Sequence, residues 1–176
     1  MALSPKAQEL CDQVAADGTP AGTLEKHARA IKEDHSLAPE LWSTGNLNCR
    51  LLAVLIMDKK LLEQELLDRL CADMLEHPEK GGKTRIMEWL MASQFLKSAG
   101  GKRMGSSWEL SPIALQRRTF WYQQAWQRWT GKTEHDNTEY LLDALDARMA
   151  DEEPEVQAMM NFAARWIGVF VPERRA

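Results

Sequence analysis

The stretch LAPELWSTGNLNCRLLAVLIMDKKLL, residues 37–62, carries two apolar patterns on either side of a short break. Its apolar residues recur three and four positions apart, which is the spacing of one face of an α-helix. The dipeptide Gly45-Asn46 separates the two patterns and favours a helix stop there. The stretch therefore predicts two helices, over 38–44 and 47–57, joined by a turn.

The same spacing continues along most of the chain, and no stretch shows the alternation typical of a half-buried strand. Pro5 and Pro154 suit a first helical turn, where proline's missing N–H costs nothing. The sequence predicts an all-α single domain over residues 1–176, built as antiparallel helix pairs stacked into a solenoid or as a compact helical bundle. The further predicted helices are 4–16, 21–34, 60–76, 84–99, 111–130, 137–150 and 154–170.

The composition excludes several classes of protein. Hydrophobic residues make up 44% and charged residues 27% of the 176 positions, and no apolar run approaches the roughly 20 residues that span a bilayer. The N-terminal pattern MALSPKAQELCDQVAADG is an amphipathic helix with acids rather than a secretory signal, so we expect a cytoplasmic protein without a membrane role. The three cysteines form no CxxC pair and the four histidines are scattered, so we expect reduced thiols, no metal and no cofactor.

The charge is unevenly distributed along the chain, although the net charge is only −4. Residues 1–79 hold 8 Lys/Arg against 14 Asp/Glu, and residues 133–176 hold 4 against 10. Residues 80–132 hold 10 Lys/Arg against 2 Asp/Glu. A positive middle flanked by acidic ends predicts a binding surface for a polyanion in the middle of the chain.

The segment SPIALQRRTFWYQQAWQRW, residues 111–129, places two adjacent arginines among five large aromatics. Neighbouring positions on a helix point in different directions, so at most one of Arg117 and Arg118 is expected to face a phosphate. In the alternative interpretation the aromatics belong to the core and the arginines cap or pair with neighbouring helices.

Two glycine-rich basic segments, PEKGGKTR at 78–85 and GGKRMGSSW at 100–108, are predicted to be flexible connectors. Lys83 and Arg85 in the first, with Lys102 and Arg103 in the second, are candidate contacts to DNA phosphates; ordinary solvated connectors are the alternative. Neither segment matches the phosphate-binding GxxxxGK[ST] pattern.

Three segments resemble the AlkD-type DNA alkylation repair family of HEAT-like repeat DNA glycosylases. Within residues 24–74, LAPELW, a turn and RLLAVLIMDKKLL are similar to that family's paired-helix pattern. WELSPIALQRRTF at 108–120 and EVQAMMNFAARWIG at 155–168 resemble its Trp-spacer-Arg-Arg segment and a later helix. Together the segments cover roughly residues 20–170 in the family's order.

This resemblance implies a curved stack of HEAT-like repeats whose concave basic face holds double-stranded DNA. Active members excise N3- or N7-alkylated purines, and an Asp four residues after a Trp, a second Trp and an Arg serve that reaction. The carboxylate and the aromatic faces stabilise the cationic character of the leaving base and sugar, which is an electrostatic task.

The catalytic Trp-x-x-x-Asp element of the family is not found in LEHPEKGGKTRIMEWLMAS, residues 75–93. The best alignment places Arg85 at the family's Trp position and Trp89 at the position of the catalytic Asp. A shift of one residue brings Glu88 near the carboxylate position. If base excision persists, Glu88 and Trp89 are the catalytic candidates.

The resemblance places Phe162 at the family's second Trp position and retains the arginine as Arg117 or Arg118. It therefore implies a protein that binds double-stranded DNA, alkylated DNA included, and in which the catalytic element has been lost. The alternative is a non-enzymatic helical-repeat scaffold that binds a protein partner, because helical solenoids commonly do so and the net charge is negative.

Overall fold

The computed structural model describes residues 3–76, 81–131 and 137–172. In these ranges the chain forms ten α-helices and no strand, so the all-α prediction is confirmed. The chain divides into two compact units, Met1–Gly101 and Lys102–Ala176, and each is described by itself. The prediction of a single domain stays a prediction. None of the described helices is long and apolar enough to cross a membrane.

Unit 1 is a two-layer stack of helices. Helix α4 packs against α2 and α6, its neighbours in one layer, and against α3 and α1. The last helix of the other layer, α5, packs against α6. The helices are α1 Pro5–Val14, α2 Ala21–Ile31, α3 Leu37–Ser43, α4 Leu47–Ile56, α5 Gln64–Leu75 and α6 Gly82–Ser93, followed by a 3₁₀ turn at Phe95–Lys97. The two helices and the intervening turn predicted within residues 37–62 are thus confirmed.

Helix α4 is the centre of unit 1 because its residues 51–56 are all apolar. Leu51, Leu52, Val54 and Ile56 are all fully buried. A helix that is hydrophobic all round needs neighbours on all sides, since every exposed face would keep apolar surface in water. This requirement explains why α4 contacts helices of both layers.

The polar ends of α4 are satisfied by side chains. The Asn46 carboxamide oxygen accepts hydrogen bonds from the backbone N–H groups of Asn48 and Cys49, at 2.9 and 3.2 Å, and so caps the helix. The Nδ2 of Asn46 donates to the Ala15 carbonyl at 3.0 Å, and that of Asn48 donates to Ala16 at 2.9 Å. The two asparagines therefore fasten the turn after α1 to the start of α4.

At the other end of α4, the Gln94 side chain donates hydrogen bonds to backbone carbonyl groups of the last turn. Its buried Nε2 donates to the carbonyls of Val54 and Met57, at 2.6 and 3.0 Å. These carbonyls lack partners within their own helix because they belong to its last turn. Gln94 directly follows α6, so the two helices end together and α4 and α6 run parallel.

Cys11 of α1 and Cys49 of α4 meet inside unit 1, with their sulfur atoms 3.1 Å apart. Both are reduced and buried, as is Cys71, so the sequence-based expectation for the thiols is confirmed. Burial is the main cause that raises the pKa of Cys49, to about 12, and the neighbouring Cys11 adds to it.

The predicted flexible connector at 100–108 is wrong, because Ala99–Ser107 forms helix α7. Ser98 caps this helix by accepting a hydrogen bond from the Gly101 N–H at 2.9 Å. A Cβ at Gly101 would lie 2.6 Å from the Phe95 Cα, so glycine permits a close backbone approach here. The glycine that suggested flexibility serves packing instead.

The helix predicted at 60–76 begins at Gln64 because Asp58 starts a local turn. The Asp58 side chain accepts from the Lys60 N–H at 2.8 Å, and its carbonyl accepts from the Leu61 N–H at 3.0 Å. Aspartate side chains compete with a helix in this way, and apolar spacing alone does not reveal it.

Unit 2 contains the remainder of α7, α8 Ala114–Trp129, α9 Thr138–Arg148, a 3₁₀ turn at Met149–Asp151 and α10 Pro154–Phe170. Helices α8 and α10 form its main packing contact. Arg117 near the start of α8 bonds Glu152 just before α10, and Trp129 at the end of α8 stacks on Trp166. The two helices therefore run parallel, as alternate helices do in a stack of antiparallel pairs.

Replacing Asn46 by Ala is expected to lower the free energy of unfolding by about 1–2 kcal/mol, because two N–H groups at the start of α4 lose their acceptor. Urea denaturation followed by circular dichroism measures this change. Asn46→Asp is the matched control: it keeps the cap and loses only the donation to Ala15, so its loss should be smaller. Equal losses in the two variants would contradict a capping role.

Candidate nucleic-acid interface

A groove of about 720 Å³ crosses the surface of unit 1 over helices α2, α4 and α6. Helices α2 and α6 form its two sides, and Leu55 of α4 lies between them. The lining residues are Ala21, Glu25, Ala28, Arg29, Leu55, Trp89, Ala92, Ser93 and Lys97.

The α6 side of the groove combines an aromatic ring with a cation. Trp89, Ser93 and Lys97 follow one another at intervals of four residues, which places them along one face of α6 and the 3₁₀ turn. The Ser93 hydroxyl donates to the Trp89 carbonyl. Trp89 is half-buried, and Lys97 is exposed. This side can offer an apolar ring to a sugar or base and an ammonium group to a phosphate.

The α2 side of the groove carries an exposed ion pair. The Arg29 guanidinium lies 3.8 Å from the Glu25 carboxylate, and their side chains are 72% and 54% exposed. Such exposed pairs contribute little to stability, so a phosphate can replace Glu25 as the partner of Arg29 at small cost.

Glu25, Arg29 and Lys97 were not predicted from the sequence as groove residues. The four-residue spacing from Trp89 to Lys97 is a local signal that could have identified the lysine. The two α2 residues lie more than fifty positions away in sequence and meet α6 only through packing on α4. No local pattern identifies such a partner.

The two predicted catalytic residues have different surroundings. Trp89 lines the groove, whereas Glu88 is exposed on α6 and is not among the lining residues. The acidic residue that lines the groove is Glu25, and its carboxylate lies next to Arg29. The catalytic roles of Glu88 and Trp89 remain predictions.

Lys83 and Arg85 lie in the first two turns of α6 rather than in a connector, and residues 78–80 of that predicted connector fall outside the described residues. Lys83 is half-buried, and Arg85 is exposed. Arg85 lines a separate cavity of about 260 Å³ together with Asp17 and Asn46. The structure therefore does not bring Arg85 into the Trp89 groove.

In unit 2, Lys102 and Arg103 lie on α7 instead of in a flexible loop. The Lys102 ammonium is 5.9 Å from the centre of the Trp126 ring, within the range of a cation–π contact. Arg103 is exposed. Gln123 of α8 donates to the Lys102 carbonyl at 2.9 Å and so fixes α7 against α8.

Arg117 forms a network with acids that precede α10. Its Nε donates to both Glu152 carboxylate oxygens, at 3.0 and 3.1 Å, and one terminal nitrogen reaches Glu152 at 3.0 Å and also contacts Glu153. The other terminal nitrogen donates to the Ser111 carbonyl at 2.7 Å. The hydrogen bond to Glu152 is the main cause that raises the pKa of Arg117. For Arg117 this geometry matches the alternative interpretation, in which the arginine pairs with a neighbouring segment.

Two further arginines of α8 are buried. Arg118 is 4% exposed and Arg128 is 3% exposed. Arg128 donates to the Asn137 side chain at 2.6 Å and to the Gln124 carbonyl at 3.3 Å, and desolvation lowers its pKa. Arg118 is thus largely covered in this conformation, and its predicted contact with a DNA phosphate stays a prediction.

Phe162 belongs to an aromatic face shared by α8 and α10. Its ring stacks on Tyr122, with centres 6.3 Å apart, and meets the edge of Trp166 at 6.4 Å. Phe162 is half-buried, so its predicted DNA contact stays a prediction. Among the described residues, no group of three or more His, Cys, Asp or Glu is placed to hold a metal ion.

No protein-family model matches the sequence. No curated protein is similar to it either. One solved structure aligns with 97% of this chain and 73% of its own, with a TM-score of 0.70 and 17% sequence identity. That structure is described as a new family of proteins related to the HEAT-like repeat DNA glycosylases with affinity for branched DNA structures. The similarity confirms the HEAT-like helical-repeat fold that the sequence predicts.

Replacing Arg117 by Ala is expected to lower the free energy of unfolding by about 2 kcal/mol, because it leaves the mostly buried Glu152 carboxylate without its bidentate partner. Thermal and urea unfolding measure the loss. Arg117→Lys keeps the charge but not the planar fork, so it should lose less. If Arg117→Ala instead leaves stability unchanged and lowers the slope of log DNA affinity against log salt by about 1, the predicted phosphate role is correct.

Proposed function

We propose that this chain binds DNA and that the groove over α2, α4 and α6 contacts the sugar–phosphate backbone. One observation carries the proposal: the groove has an exposed cation on each side, Arg29 and Lys97, and the half-buried Trp89 ring lines the same groove. Cations position a protein on phosphates, and an aromatic face packs against sugar or base.

The charge of the chain supports the same function. Residues 80–132 hold 10 Lys/Arg and 2 Asp/Glu, and one of those acids, Glu109, bonds Tyr140 and Arg148. The five described cations of α6, α7 and the intervening turn, which are Lys83, Arg85, Lys97, Lys102 and Arg103, are all exposed or half-exposed. The similar solved structure belongs to proteins with affinity for branched DNA, and its HEAT-like fold supports DNA as the partner of this chain.

We further propose that binding proceeds without base excision. Stabilising a departing alkylated purine requires a carboxylate whose charge faces the cationic base and sugar. No Trp-x-x-x-Asp element occurs in the sequence, and the carboxylate that lines the groove, Glu25, is 54% exposed, so solvent screens its charge. Alkylated double-stranded DNA is therefore a ligand in this proposal and not a substrate.

Replacing Arg29 or Lys97 by Ala should weaken duplex binding and reduce the slope of log affinity against log salt by about 1 for each phosphate that the variant no longer binds. Fluorescence anisotropy of a labelled blunt duplex over a salt series measures both quantities. Lys60→Ala is the matched control, because Lys60 is an exposed cation of unit 1 that does not line the groove. Salt-insensitive absence of DNA binding by the unaltered protein would favour the protein scaffold instead.

Incubation with duplex DNA that contains 7-methylguanine, followed by alkali, should reveal no abasic sites above the level without protein. The reason is the lack of a Trp-x-x-x-Asp element and the exposure of the Glu25 carboxylate to solvent. Strand breaks that disappear in Glu25→Gln or Glu88→Gln would overturn this part of the proposal and identify the carboxylate that acts.

A further inference from the structure

The parallel helices of unit 2 carry two facing rows of aromatic residues. Tyr122, Trp126 and Trp129 lie on one face of α8, and two of them meet α10, where aromatic residues recur every four positions. Trp129 stacks on Trp166 with ring centres 6.1 Å apart and planes inclined by 20°. Trp166 stacks in turn on Phe170 at 6.2 Å and 30°. We call Trp129, Trp166 and Phe170 the aromatic ladder.

Both end rings of the aromatic ladder are open to solvent. Trp129 is 54% exposed and Phe170 is 53% exposed, and Val169, which precedes Phe170 in the sequence, is 46% exposed. The middle ring, Trp166, is half-buried. Large aromatics usually bury most of their surface, so two half-exposed rings at the ends of one stack form an unusual surface for a folded unit.

A flat aromatic partner fits these open ends better than an aliphatic one. The rings already stack on one another, and a further planar ring can extend the stack at the exposed Trp129 or Phe170. Nucleobases are planar and stack on protein aromatics with little dependence on sequence. Bases inside a duplex have both faces occupied, whereas unpaired bases have a face available.

Positive charge accompanies the aromatic face. The Lys102 ammonium lies over the Trp126 ring of α8, and Arg165 is exposed next to Trp166 on α10. The carboxylate of Glu152, at the other end of α10, is engaged by Arg117. A strand whose bases stack on the aromatic ladder therefore has cations available for its phosphates.

We propose that the aromatic ladder binds unpaired bases of single-stranded or branched DNA by stacking on Trp129 and Phe170. The inference rests on DNA being the ligand of this chain and adds a preference for unpaired nucleotides. The α2–α4–α6 groove contacts the backbone of any DNA, whereas the aromatic ladder distinguishes unpaired from paired strands.

The test compares Trp129→Ala and Phe170→Ala with the unaltered full chain. Fluorescence anisotropy is measured with labelled oligothymidylate, with a Y-shaped DNA that has single-stranded arms, and with a blunt duplex. Each replacement should weaken binding to oligothymidylate and to the Y-shaped DNA by about tenfold, the effect of removing one ring on which a base stacks, and leave duplex affinity unchanged.

Two further variants control for nonspecific effects. Leu110→Ala removes a 74% exposed apolar residue of unit 2 outside the aromatic ladder and should change no affinity. Trp129→Phe keeps a ring and should retain most of the binding to oligothymidylate. Trp129 also stacks on Trp166, so its replacement lowers the unfolding temperature somewhat, and affinities are compared at a temperature at which circular dichroism shows every variant folded.

Three results would overturn the inference. The first is unchanged affinity for oligothymidylate in both alanine variants, and the second is equal weakening of binding to duplex and to unpaired DNA. The third is a dimer of the unaltered protein that Trp129→Ala dissociates, because a second copy would then cover the aromatic ladder.

The Arg29→Ala and Lys97→Ala variants separate the two proposals. If these variants lose duplex binding and the alanine replacements at Trp129 and Phe170 have no effect, the groove is supported and the ladder is rejected. If only the replacements at Trp129 and Phe170 weaken binding, the ladder alone is supported.

Discussion

The burial of α4 is the constraint on which unit 1 depends. Leu51, Leu52 and Val54 are fully buried on a helix whose residues 51–56 are all apolar, so helices of both layers must surround it. Surrounding a helix also buries its ends, where backbone groups have no partners within the helix. Asn46 and Gln94 supply those partners, and they thereby set the position of α1 and α6 relative to α4.

The same constraint forms the groove. Among residues 51–56 of α4, Leu55 alone is not buried. At this position α2 and α6 stand apart on either side of α4, and Arg29 and Trp89 project from them. The groove is therefore a product of packing two helices against the sides of a third, and its chemistry comes from the surface positions of those two helices.

In unit 2 the charges of the sequence act largely within the unit. Arg117 of the basic middle region bonds Glu152 and Glu153 of the acidic C-terminal region, and Arg148 of that acidic region bonds Glu109. Counting charges by segment correctly locates the basic residues but overstates how many of them face solvent. The adjacent arginines of a solvated binding face and those of an internal network look alike in sequence.

Local signals predicted most of the fold, and long-range packing decided the rest. Apolar spacing and the prolines at helix starts predicted nearly all the helices, because these features act within one or two turns. Helix α7 was missed because Gly101 is needed for a close approach to Phe95, a proximity that glycine content alone does not disclose. In the candidate site, Trp89 was identified from sequence, whereas Arg29 was not, since only the packing of α2 and α6 on α4 brings the two together.

The meeting of Cys11 and Cys49 has a consequence for how opening of unit 1 is observed. The nucleophile in thiol chemistry is the thiolate, and burial holds the pKa of Cys49 at about 12. Alkylating reagents therefore react with Cys49 only when α1 separates from α4 and the thiol returns to its ordinary acidity. The rate at which Cys49 is alkylated therefore reports how often α1 separates from α4, and no added probe is needed to measure it.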